Sequence, residues 1–121
     1  MKKLILLSLL LGVNFSLSAN TNCSKLSDIA DNNYLELDAL EIMKVSSDKG
    51  ARVYFHSAPS QSCKIKQKFV ISNDQVIAYY SFENEGQEWL YVVYTGKNNK
   101  KTVGWVKKTD LTFIKTTALD G

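Results

Sequence analysis

From Ile42 to Ile114 the chain is a series of short β-capable runs, each closed by a turn signal. That rhythm constrains the fold more than any other feature. Arg52 to His56 alternates, with Val53 and Phe55 facing one way and Tyr54 and His56 the other. In Lys64 to Ile71, Lys64, Lys66 and Lys68 alternate with Ile65 and Phe69. Gln75 to Phe82 is rich in Val, Ile and Tyr, and Trp89 to Thr95 is the strongest strand signal of all. Val103 to Val106 and Leu111 to Ile114 follow. Asp48-Lys49-Gly50, Ser57 to Ser62, Ser72-Asn73-Asp74, Asn84-Glu85-Gly86 and Gly96 to Asn99 supply the breaks. Short strands at such spacing form a small barrel or sandwich. A barrel also removes the exposed edges that invite aggregation.

The segment ahead of the strands has a different period. Leu26, Ile29, Ala30, Asn33, Leu37 and Leu40 fall near helical spacing, with Asp28, Asp31, Glu36, Asp38 and Glu41 opposite. Asn32-Asn33 interrupts it. The pattern predicts one or two short helical turns, packed on a sheet.

The extreme N-terminus has the layout of an export signal. Met1-Lys2-Lys3 is basic, Leu4 to Val13 is apolar except for Ser8 and Gly12, and Ser16-Leu17-Ser18-Ala19 offers small residues to a peptidase. The apolar run is short of the roughly 20 residues that span a bilayer. Cleavage after Ala19 predicts a periplasmic or secreted protein with no integral membrane segment after processing; a retained anchor is the alternative. Asn20-Thr21-Asn22 ahead of Cys23 argues against lipidation. The expected division is a signal peptide at 1–19, a helical extension at 20–40, a barrel at 41–115 and a tail at 116–121.

Export gives the cysteines meaning. Cys23 and Cys63 are the only two, and two cysteines in an exported chain pair as a rule. The bridge would close a loop of about 40 residues. Two free thiols, or a bridge between chains, are the alternatives. Net charge falls from +3 to 3 − 2 = +1 once Lys2 and Lys3 leave, which argues against a nucleic-acid partner.

The strand residues carry a resemblance. Val45-Ser46-Ser47, Val53 to Ser60, Asn73-Asp74-Gln75-Val76, Glu88 to Val92 and Gly104-Trp105-Val106 running to Leu111 follow one another in the order of a bacterial Src-homology-3 domain. The chain resembles that family over about 70 residues, Ile42 to Leu111. It departs from the family at His56, Ala58 and Asn73, which stand where Arg, Gly and Gly are usual. The resemblance implies a mainly β protein: a small SH3-like barrel of five to six strands with a short N-terminal helical segment. It also implies protein or cell-wall peptide ligands. Polyproline recognition is disfavoured, because Lys107 and Asp110 stand where that groove needs a proline and an aromatic.

Catalytic chemistry has little to draw on. His56 is the only histidine, and a Cys–His pair lacks its thiolate if the cysteines are bridged. Histidine-based metal sites have no companions, no phosphate loop is present, and no cofactor is expected. Asp28/Asp31 and Glu83/Glu85/Glu88 read as solvated charge rather than as a sheltered acid–base pair. The aromatic residues lead further. Leu90, Val92 and Tyr94 alternate with Trp89, Tyr91 and Val93, so one ring set faces out of a small barrel. The expected ligand-binding residues are Tyr54, His56, Trp89, Tyr91 and Trp105. The opposing expectation is that the N-terminal segment, tied through Cys23–Cys63, covers these rings. The sequence therefore predicts a non-catalytic periplasmic binding module for a protein or peptidoglycan-derived peptide. The alternatives are an immunity-type inhibitor of a periplasm-acting toxin or cell-wall hydrolase, and a small cell-wall-active enzyme.

Overall fold

Among the described residues, the alternating runs fold as seven antiparallel strands in one open sheet, with one α-helix ahead of them. The structure, a computed structural model, describes residues 22–117. The expected signal peptide at 1–19 lies outside the described residues, as does the expected tail at 116–121 except for Thr116 and Thr117, which belong to the last strand. Helix α1 spans Cys23–Asn33. Strands β1 to β7 span Leu35–Val45, Arg52–His56, Lys64–Ile71, Gln75–Asn84, Gln87–Thr95, Lys101–Lys107 and Leu111–Thr117. Their order across the sheet is β3-β2-β6-β5-β4-β1-β7.

Two expectations are corrected. The sheet is not a closed barrel, and it has seven strands rather than five to six: β3 and β7 end the order and do not pair. The helical segment is also shorter than 20–40, because Leu35 to Val45 is strand throughout. A register break explains the misreading. Glu36 pairs with Tyr80 and Glu41 with Ala78, so four residues of β1 lie opposite the single residue Tyr79. Such a bulge destroys the two-residue period and leaves Leu37 and Leu40 at helix-like spacing.

One face of the sheet holds the main core. Val45, Phe55, Val70, Val76, Leu90, Val106 and Leu111, one from each strand, join a single apolar cluster. Register breaks in β1, β2 and β4 bend the strands toward it. Gly104 of β6 lets that bend close. A Cβ there would lie 3.1–3.2 Å from the His56 carbonyl and the Phe55 ring. The β4–β5 turn is a two-residue hairpin between paired Asn84 and Gln87. Glu85 and Gly86 both take positive φ, +56° and +71°, the conformation that matches the strand twist.

The opposite face carries α1. Ala30 packs on Trp89 and Trp105, with Tyr34, Tyr80, Phe82 and Tyr91 around them. Ala30 is the only fully buried residue of the helix, and its N-cap Asn22 makes no side-chain capping bond. Eleven residues form a helix that is marginal on its own. The disulfide Cys23–Cys63, with Cα atoms 5.7 Å apart, ties its first turn to the segment before β3.

Candidate functional site

The five sequence-predicted ligand residues separate into two environments. Trp89 and Trp105 are 0% and 1% exposed, so neither offers a contact surface. Both do lie on the face away from the main core, but α1 covers them. The Trp89 indole N–H donates to the Asn84 carbonyl at 3.2 Å. Tyr91, half-buried, stands 5.4 Å from Trp105 between ring centroids and stacks at 4.9 Å on Tyr80. Tyr80 stacks in turn at 3.9 Å on Tyr34, just beyond the helix. Burial, then the neighbouring Tyr91, Asp31 and Tyr34, push the Tyr80 phenol up to about 12. This aromatic layer is a second core, and the covering segment that the sequence left open is in place.

Tyr54 and His56 belong to a different surface. Strand alternation turns both away from the main core, and pairing with β3 completes the face. Tyr54 pairs with Phe69, Arg52 with Ile71, and His56 with Lys64. The Tyr54 and Phe69 rings are 5.8 Å apart. The Arg52 guanidinium sits 4.4 Å above Phe69, and the Lys64 ammonium 4.7 Å above Tyr54. Phe69 and Ile71 are 36% and 44% exposed. The result is an aromatic ladder with a cation over each ring, a geometry that stabilises both partners.

His56 ends the ladder at its buried side. On β6 it pairs with Trp105, and its Nδ1 lies 3.1 Å from the Trp105 carbonyl. Its ring meets Trp89 edge-on at 4.9 Å. Burial lowers the imidazole pKa, and the Lys107 and Lys64 charges lower it further; backbone hydrogen bonding at Trp105 and Tyr54 opposes them. A cleft of about 160 Å³ opens here, lined by Arg52, Tyr54, His56, Gln61, Lys64, Lys107 and Asp110, with Val53 behind.

A larger hollow, about 460 Å³, lies between α1 and the β4–β5 turn. Several of its polar groups are engaged with one another. The Ser60 hydroxyl donates to Glu85 at 2.5 Å, the Gln61 N–H donates to the same carboxylate at 3.0 Å, and the Asn84 amide donates to the Pro59 carbonyl at 2.9 Å. These bonds clamp the Ser57–Cys63 segment to the hairpin. They are an architectural device rather than a set of ligand-facing groups.

The cysteines are bridged, and His56 has Nδ1 committed to a carbonyl. The cationic ladder can bind, through ring faces and positive charge. Phe69, Ile71, Arg52, Lys64 and Lys107 were not among the predicted site residues. The alternation of β3 was visible in the sequence, but the register that sets Phe69 beside Tyr54 was not.

Comparison with protein-family models, with curated proteins and with solved structures yields no match.

Proposed function

We propose that the protein is an exported, non-catalytic binding module, taking a protein or a peptidoglycan-derived peptide on the outward side of the β2–β3 hairpin. One observation carries the reading: half-buried Tyr54 and exposed Phe69 stand side by side on β2 and β3, each with a cation above its ring. Aromatic rings and arginine are the residues on which interface energy concentrates. The sheet holds them from behind through Val53 and Val70, so little conformational freedom is lost on contact.

Two further observations support it. The disulfide fits an oxidising compartment, which the export proposed from the N-terminal residues would supply. The segments that resemble a bacterial Src-homology-3 domain fall in order on β2, the β3–β4 turn, β5, and β6 running into β7. An SH3-like relationship, with ligand binding on an outward strand face, is therefore part of the proposal.

The test compares wild type with the double variant Tyr54→Ala/Phe69→Ala. Each would be assayed for capture of partners from periplasmic extract and for binding of solubilised peptidoglycan peptides. Circular dichroism would verify the fold. Loss of about tenfold or more in affinity is expected for truncating paired aromatic anchors. Equal binding by both proteins would contradict the assignment.

A further inference from the structure

The cleft at the end of the aromatic ladder has a charge arrangement that the ladder alone does not require. Arg52 from β2, Lys64 from β3 and Lys107 from β6 all line it, against one carboxylate, Asp110. Among the described residues the one ion pair is Lys108–Glu88, which lies elsewhere on the sheet. Arg52 and Lys64 are held over rings, not over carboxylates. Three cations from three strands therefore converge without an anionic partner at ion-pair distance. Like charges lining one cleft give it a positive potential that draws an anion.

We propose that this cleft is a binding site for a carboxylate-bearing ligand, held by Lys64 and Lys107 beside His56 and flanked by the Tyr54 ring. The inference rests on the binding-module reading and names the chemistry its ligand presents. Volume and charge favour a carboxylate. The cleft, about 160 Å³, takes a small planar group and little more. Asp110 at its wall disfavours a dianion. An acidic side chain and a chain-terminal carboxylate share this chemistry.

His56 reports on the site. Nδ1 is engaged with the Trp105 carbonyl, which leaves Nε2 as the nitrogen that gains or loses a proton. Lys107 and Lys64 are the charged groups acting on the imidazole, and Arg52, Asp110 and Tyr54 line the same cleft. An anion among the lysines offsets the charge that depresses imidazole protonation. Binding and proton uptake at His56 are then linked, and affinity rises as pH falls.

The chain contains a single histidine, so its imidazole signals need no assignment. The intact mature protein would be titrated with N-acetylglycine, N-acetylglycinamide, inorganic phosphate and chloride, following those signals by nuclear magnetic resonance. Acidic and C-terminal carboxylates would be separated with N-acetylaspartate amide as a fifth probe. The expected result is a saturable shift with one or both carboxylates, an upward move of the His56 titration midpoint, and at least about threefold weaker binding in Lys64→Met and in Lys107→Met. Three results would each overturn the proposal: a response to the amide equal to that of the acid, a response to phosphate or chloride alone, or unchanged carboxylate binding in both lysine variants. Failure here with continued loss of partner binding in Tyr54→Ala/Phe69→Ala would remove the carboxylate site alone.

Discussion

His56 and Trp105 face each other across β2 and β6, with the imidazole Nδ1 3.1 Å from the tryptophan carbonyl. A carbonyl accepts and does not donate, so Nδ1 carries the proton. This bond fixes the tautomer of the only histidine and holds its ring edge-on to Trp89.

The lowered pKa of His56 has a consequence for stability. Near neutral pH both folded and unfolded chains hold the imidazole uncharged. As pH drops through the ordinary value of 6.5, the unfolded chain takes up a proton first, because burial and the flanking lysines resist it in the fold. Stability therefore declines below about pH 6.5 and levels off once the folded pKa is passed. The His56→Asn variant should lose this part of the pH dependence. Urea titrations of both proteins between pH 7.5 and pH 5.5, chosen as roughly one unit either side of that value, would measure the difference.

Removing the covalent tie should loosen the helix before the sheet. The Cys23–Cys63 bridge spans 40 residues, and in the chain-entropy model a loop of that size contributes about 4 kcal/mol. A Cys23→Ser/Cys63→Ser variant should unfold at lower denaturant by about that amount. With α1 held only by Ala30 and its neighbours, Trp89 and Trp105 should gain access to water. Red-shifted tryptophan emission before global unfolding is the expected sign, and identical emission and stability would contradict the covering role.

Gly104 is predicted to be intolerant of any side chain. A Cβ would meet the Phe55 ring and the His56 carbonyl at 3.1–3.2 Å, between two strands that cannot part without breaking the His56–Trp105 pair. Gly104→Ala should cost about 1–3 kcal/mol, the range for overpacking a filled core. Thermal unfolding followed by circular dichroism would check it. Gly50, with open space around its Cβ position but a φ of +85°, gives a comparison in which backbone strain acts alone.

Tyr80 should be the last tyrosine to ionise. Its phenol is pushed up to about 12, first by burial and then by Tyr91, Asp31 and Tyr34. Ultraviolet titration of Tyr80→Phe against wild type should remove the latest phenolate step. Because the folded value lies above the ordinary 10.0, the stabilisation is complete below pH 10.0 and is lost as pH rises toward 12.

The strands were legible where alternation ran unbroken. Lys64 to Ile71 is a strand over the span that its sequence gives, but its alternation breaks opposite Phe55, so that Val70 is buried and Phe69 exposed, and the later runs extend only slightly past their sequence limits. Leu35 to Glu41 was not legible, because the bulge opposite Tyr79 gave it the wrong period. Closure was not legible either: whether β3 and β7 join depends on backbone pairing between strands far apart in sequence. The site follows the same division. Alternation correctly put Trp89 and Tyr54 on outward faces, but only the disulfide's placement of α1 decides that Trp89 is covered and Tyr54 is not. Phe69 became part of the site through register, which composition does not encode.

The central claim is that contact with a partner is made by the outward side of β2 and β3. Amide hydrogen exchange of the mature protein, alone and saturated with its captured ligand, tests it most directly. Slowed exchange confined to residues 52–71 and to the Lys107–Asp110 turn is the predicted footprint. Protection centred on α1 or on β7, with residues 52–71 unchanged, would contradict the account.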